Sequence, residues 1–266
     1  MKLSREQLDA FHDNGFLILR NFAHRLECEA ILDVALVHLK HRIEPYESEM
    51  GYGEKSYAYR TEVSDYRSLE IGASEVTVRR LRQVYDRDIV FRNWMENEAI
   101  RPILEQVLDD EVVITLAHHN SIMTKMPYSS TETRWHQDRR YWRYSDDNLV
   151  SIWLALDEEN SQNGVLEFIP GSHRMAFEAD QFDEKEYFKT DDPRNQASIA
   201  TKVSSDLKQG DVVLFHCRLL HRANDNRSER PKISFVYTVK GLQTQAREGT
   251  RSSDYPEIHL KPLTKF

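Results

Sequence analysis

Apolar residues follow two rhythms along this chain, and the change between them falls near residue 111. Before it, spacings of three and four dominate, as in helices with one buried face. Leu8, Phe11 and Phe16 begin such a stripe, and Ser4 followed by Gln7 has the form of a capping box. Asn14-Gly15 ends this first helix, and Phe16-Leu17-Ile18-Leu19 reads as a short strand. A second helix is predicted over residues 26–41, where Ala30, Ile31, Val34, Ala35 and Leu39 supply the apolar positions. Residues 42–75 lose periodicity and are rich in Glu, Ser, Tyr and Gly. They read either as a functional cover such as a lid or as a disordered surface loop. Helical spacing returns over 76–109, broken by Pro102.

Beyond residue 111 the runs are short and β-branched or aromatic: 112–116, 149–156, 165–169, 212–215 and 233–239. Asn-Gly, Pro-Gly and Gln-Gly-Asp turn signals separate them. Strands without regular helices between them point to an antiparallel barrel or sandwich, buttressed on one face by the helical N-terminal third. The expected class is mainly β with flanking helices.

Composition narrows the function classes. The chain has 266 residues, of which 39% are hydrophobic and 30% charged, with a net charge of −8 and a pI near 5.8. That length and apolar content suit one large β domain. No basic stripe suits nucleic acid. The polar start, Met-Lys-Leu-Ser-Arg-Glu-Gln, lacks a signal-peptide core, and no apolar run is long enough to cross a bilayer. Cys28 and Cys217 make neither a disulfide framework nor a zinc cluster. A reducing cytoplasm is the expected home.

Chemistry enters with His136-Gln137-Asp138 and, 83 residues after that Asp, His221. Residues i and i+2 of an extended segment point to the same side, so His136 and Asp138 can reach one ion while Gln137 turns away. An imidazole from a distant strand would complete one face of an octahedron. The opposite face would stay open, as non-heme Fe(II) oxygen chemistry requires. Other histidines compete. His118 and His119 end a β run and either line a pocket or pack; His173 closes a Pro-Gly-Ser-His turn and reads as structural; His216 lies within the run that starts at Val212.

Gly15-Phe16 after an amphipathic helix, Trp135-His136-Gln137-Asp138, the stretch from Asn163 to His173 (NGVLEFIPGSH), and Gly210-Asp211 leading to Leu220-His221 occur in one order. In this the chain resembles phytanoyl-CoA dioxygenase-like enzymes, over about residues 4–240. The resemblance implies a double-stranded β-helix core of jelly-roll or cupin-like form. It implies Fe(II), 2-oxoglutarate as cosubstrate and O2, with hydroxylation of an unactivated C–H bond and release of succinate and CO2. It favours His221 over His216 as the distal ligand. The whole chain, 1–266, then reads as one oxygenase domain: a helical buttress and possible lid over 1–110, the β-helix core over 111–240, and a C-terminal extension over 241–266.

For the far carboxylate of the cosubstrate, the family usually places Arg eleven residues after the distal His; here that residue is Lys232. Lys232, Ser234, Val236 and Thr238 share one strand face, opposite Ile233, Phe235, Tyr237 and Val239. Lys232 and Ser234 are the expected grip, less directional than the fork of Arg. Arg230 has the same parity and is the alternative, with Pro231 between them. The bland reading of Lys232 is a solvated strand-end charge. Gln137 and Trp153 match positions that contact 2-oxoglutarate in relatives, although Trp153 reads equally as a core aromatic. Where many relatives carry Ser, two residues after the distal His, this chain has Ala223.

Arg139, Arg140 and Arg143 flank the metal motif, and Arg79, Arg80 and Arg82 form a second basic cluster. They either focus field on an anionic small-molecule substrate or form surface ion pairs. Two further classes stay open. A radical halogenase of the same fold normally lacks the carboxylate, so Asp138 argues against it. A non-catalytic barrel binding a carboxylate is opposed by the intact triad.

Overall fold

The computed structural model describes residues 1–49 and 77–261. Helix α1 (Arg5–Asn14) starts on Ser4, whose side chain and Gln7 form both bonds of the capping box. It stops at Gly15 in the left-handed region, with φ of 80°. A Cβ there would run into the His173 ring, so this glycine is required twice, by conformation and by contact. Helix α2 (Arg25–Lys40) buries Cys28, Ile31 and Ala35.

Two antiparallel sheets follow. The larger is ordered β1 (Phe16–Leu19), β9 (Val212–His216), β6 (Leu149–Ala155), β11 (Lys232–Gly241), β4 (Val112–Lys125), β3 (Val78–Arg82) and β2 (Tyr46–Ser48). Strand β12 (Glu257–His259) pairs with the first part of β4. The smaller sheet is ordered β5 (Thr133–His136), β10 (His221–Ala223), β7 (Leu166–Phe168) and β8 (Val203–Ser204). Trp153 and Ala155 of β6, Val213 and Phe215 of β9 and Val236 of β11 meet Leu166, Phe168 and Ala223 from the smaller sheet in one apolar cluster. That sheet-on-sheet core is a jelly roll. On the outer face of the larger sheet, Ile233, Phe235, Tyr237 and Val239 join Phe11, Ile31, Phe91 and Trp94 in a second core. The parity read for residues 232–239 is therefore the observed one, with every residue of β11 buried.

Among the described residues, the N-terminal third is less helical than expected. Residues 78–82 form β3, paired with β4 and β2, where helix was expected. Val78 and Leu81 supply apolar contact, and the arginines find acids: Arg79 with Glu49 at 2.9 Å, Arg80 with Glu47 at 2.9 Å, and Arg82 with Glu47 at 3.6 Å. That cluster is thus a set of ion pairs, with Arg79 buried. Helices Ile89–Met95 and Arg101–Leu108 do follow, and Pro102 stands in the first turn of the second, where its missing N–H costs nothing. Residues 50–75 of the expected lid lie outside the described residues. Among the described residues no helix is long and apolar enough to cross a membrane.

Candidate metal centre

Strands β5 and β10 lie side by side, and their register sets His221 opposite His136. The two imidazoles have ring centroids 4.2 Å apart. Asp138 opens a short 3-10 turn, Asp138–Tyr141, directly after β5. Its Oδ1 stands 3.7 Å from Nε2 of His136 and 3.7 Å from Nε2 of His221. One ligand atom from each residue falls within 4.8 Å of the others, and all three side chains are buried. His216 is elsewhere: its Nδ1 accepts the Arg218 backbone N–H, and its ring lies 5.2 Å from that of His173. His173 donates from Nε2 to the His12 carbonyl, the structural role expected of it.

The surroundings prepare these three groups for a cation. His136 donates from Nδ1 to the Arg134 carbonyl at 2.8 Å, and His221 from Nδ1 to the Leu219 carbonyl at 3.0 Å. Each bond fixes the ring and leaves Nε2 with its lone pair toward Asp138. Burial pushes the His136 imidazole well below its ordinary range, helped by the charges of His221 and Arg140. Burial also lowers His221, against the opposing pull of Asp138. For Asp138, burial opposes ionisation, but His119, His221 and His136 outweigh it and hold the carboxyl well below the usual carboxylate range. Two neutral imidazoles and one carboxylate on one face fit a divalent transition metal, with the other face free. Ser151 donates to Asp138 Oδ2 at 3.0 Å, and His119 donates from Nε2 to Oδ1 at 2.9 Å.

Of the residues expected at the cosubstrate, Trp153 and Lys232 border a cavity that His136, His221 and Ala223 also line. Met123, Leu166, Phe215 and Val236 give it an apolar wall; Arg79, Lys125 and Arg222 also border it. Lys232 is no solvated strand end, being 1% exposed. Its ammonium donates to the Gly164 carbonyl at 2.7 Å and pairs with Glu159 at 3.2 Å. Burial pulls Lys232 below the usual lysine range, and Glu159 opposes that pull. Glu159 is fully buried and collects three donors: Lys232, Ser234 Oγ at 2.6 Å and Trp153 Nε1 at 3.0 Å. Lys232 and Ser234, the expected grip on a cosubstrate carboxylate, thus converge with Trp153 on a carboxylate of the chain itself. Arg230 lies exposed before β11, outside this cavity. Gln137 donates to the Arg218 carbonyl at 2.5 Å, turned from the metal face.

Glu159 and Ser151 carry no signal in the sequence, and His119 reads there only as a pocket-lining or packing residue. Asp157-Glu158-Glu159 has the look of a solvated acidic run. The place of His119 beside Asp138 becomes legible only when the strand beginning at Val112 is carried through the His-His-Asn stretch to Lys125, as the structure has it.

Fold and donor set define a jelly-roll protein with a facial His-Asp-His site. The chain belongs to the phytanoyl-CoA dioxygenase (PhyH) family, whose model matches residues 11–234. Among curated relatives, phytanoyl-CoA dioxygenase domain-containing protein 1 of Mus musculus is 24% identical, covering 98% of each chain. Ectoine dioxygenase of Bordetella bronchiseptica is 24% identical over 91% of this chain and 76% of its own. Among solved structures, the nogalamycin epimerase SnoN, in complex with Fe3+, alpha ketoglutarate and nogalamycin RO, superposes with a TM-score of 0.70 at 16% identity, covering 91% of this chain and 85% of that one. EctD from S. alaskensis with bound Fe gives 0.69 at 20% identity, covering 92% and 79%.

Proposed function

We propose that this protein is an Fe(II)- and 2-oxoglutarate-dependent dioxygenase that hydroxylates an unactivated C–H bond of a small molecule, releasing succinate and CO2. The observation that carries this reading is the buried triad whose two Nε2 atoms are freed by Nδ1–H bonds to backbone carbonyls. His136, Asp138 and His221 would hold the iron. When bound, the iron and the 2-oxo acid supply O2 activation, chemistry that belongs to the cofactor and not to any side chain. The chain contributes position and dryness. The carbonyls of Arg134 and Leu219 orient the imidazoles, and Ser151 and His119 hold the carboxylate. Leu166, Phe215, Val236 and Trp153 exclude water from the cavity beside them.

Lys232, Ser234 and Trp153 are proposed as the seat for the far carboxylate of 2-oxoglutarate. Their convergence on Glu159 supports a carboxylate-binding geometry and adds a condition: Glu159 must yield when the cosubstrate enters. Were the grip instead on Lys125, which borders the same cavity, Glu159 would stay where it is. Relatives named for ectoine, hypophosphite and phytanoyl-CoA leave the prime substrate open within the small molecules. The test is succinate formation from 2-oxoglutarate under air, with Fe(II) and with Fe(II) plus chelator, in the presence of candidate metabolites. Chelator-sensitive succinate is expected. Iron binding without any succinate across a broad metabolite set would reduce the protein to a binding barrel.

A further inference from the structure

Arg140 is two residues beyond Asp138, in the turn that carries the carboxylate ligand. It is 7% exposed. Its neighbours in the chain are neutralised: Arg139 by Asp147 at 3.0 Å and Arg143 by Glu186 at 3.9 Å. Arg140 pairs with no carboxylate among the described residues, and its Nε and Nη1 are buried without a hydrogen-bond partner. Two aromatic rings hold it instead. Its guanidinium carbon lies 4.5 Å from the Tyr141 ring centroid and 4.1 Å from that of Tyr187. Tyr187 in turn meets the His136 ring edge-on, with centroids 6.2 Å apart. The charge of Arg140 is felt at both His136 and His221.

A buried, unpaired guanidinium costs several kcal/mol, because desolvation is not offset by an anion. Ring faces recover part of that cost and leave the edge donors unused. Such a group is suited to take two oxygens of an oxyanion in fork geometry. It does not border the cavity that holds Lys232, so the cosubstrate seat does not claim it. We propose that Arg140 is the anchor for an oxyanion, a carboxylate or a phosphate, of the prime substrate, held on the Tyr187 side of His136. Tyr141 and Tyr187 fix the guanidinium plane, and through it the substrate's distance from the metal. The proposal rests on the oxygenase reading for the word substrate; the anion site itself does not.

The experiment therefore uses the full chain without iron. The Arg140 side-chain Nε–H resonance, assigned by its loss in Arg140→Lys, is followed during titration with acetate, with inorganic phosphate and with chloride at matched ionic strength. A saturable shift with acetate or phosphate, absent with chloride, is expected. Acetate alone identifies a carboxylate, phosphate alone a phosphate. No shift with either, or an equal shift with chloride, overturns the proposal. In parallel, Arg140→Gln should lose the rise in Tm that the effective oxyanion gives the wild type, while iron binding is retained. An oxyanion-induced Tm rise surviving in Arg140→Gln would place the anion elsewhere. Failure of succinate formation with this titration intact would sink the oxygenase reading and leave the anion site standing.

Discussion

Removing the ammonium of Lys232 tests the buried pair and the cosubstrate seat together. In Lys232→Met, the Glu159 carboxylate keeps Ser234 and Trp153 as donors but loses its cation in a site where both partners are inaccessible to water. Breaking one side of a buried pair costs about 3–5 kcal/mol. The two remaining donors, each contributing roughly 1.5–3 kcal/mol to a charged acceptor, place the expectation near the lower end. At about 2–4 °C per kcal/mol for a domain of this size, Tm should fall by at least ~6 °C. Adding Glu159→Gln removes the stranded charge and keeps an acceptor for Ser234 and Trp153. The double variant should then be more stable than Lys232→Met alone, with a coupling energy of about 2 kcal/mol in a double-mutant cycle. Urea unfolding of the wild type, both single variants and the double gives the cycle. The same four proteins report on the cosubstrate by equilibrium dialysis with 2-oxoglutarate. Lys232→Met should weaken binding about 10- to 100-fold, the loss of one charge-assisted hydrogen bond. Glu159→Gln should strengthen it, because the internal competitor is gone. Zero coupling in the unfolding cycle would refute the ion pair. Unchanged 2-oxoglutarate binding in both single variants would move the grip off Lys232, toward Lys125.

Three other perturbations follow from the same contacts. Gly15→Ala should destabilise by at least ~1–2 kcal/mol, because φ there is positive and the new methyl meets His173; urea unfolding measures it, and a neutral result would mean that the turn can relax. Burial, then the charges of His173 and Arg218, push His216 down to about 3, so the unfolded chain, near the ordinary histidine range, binds the proton more readily. Its contribution is complete above roughly pH 6.5 and is lost as pH falls toward 3, with ~2 kcal/mol of it gone by about pH 5. His216→Gln should narrow the stability difference between about pH 7 and pH 5 by that amount; an unchanged difference would show that His216 is protonated in the fold. His119→Ala, which deletes a donor to Asp138 Oδ1, should weaken Fe(II) binding about 10- to 100-fold in competition with a chelator, and an unchanged affinity would mean that Ser151 suffices.

What the chain reveals of itself depends on how locally each feature is encoded. The capping box at Ser4, the left-handed Gly15 and the two faces of β11 are set by neighbouring residues and periodicity, and all three were legible. The His136-x-Asp138 pair was legible because the extended Gln137 between them turns both side chains to one side, although Asp138 already opens the following turn. Residues 78–82 were not, because three arginines hide a strand whose neutralising glutamates come from β2 and its end. Strand β4 was cut short at the histidines, since polar residues facing an interior site look like a turn until the site is known. Glu159 and Arg140 are the deeper cases. One looks like solvated acid and is fully buried on Lys232; the other looks like one of several surface cations and lacks, among the described residues, the carboxylate partner its neighbours have. Both depend on contacts between distant segments, which no local pattern carries.

The central claim is that His136, Asp138 and His221 hold the metal, and the most direct measurement is anaerobic Fe(II) loading followed by desalting and iron analysis of the wild type, His221→Ala and His216→Ala. Circular dichroism confirms that each variant is folded before loading. The geometry predicts one iron per chain in the wild type and in His216→Ala, and none retained in His221→Ala. Iron lost from His216→Ala and kept by His221→Ala would contradict the account.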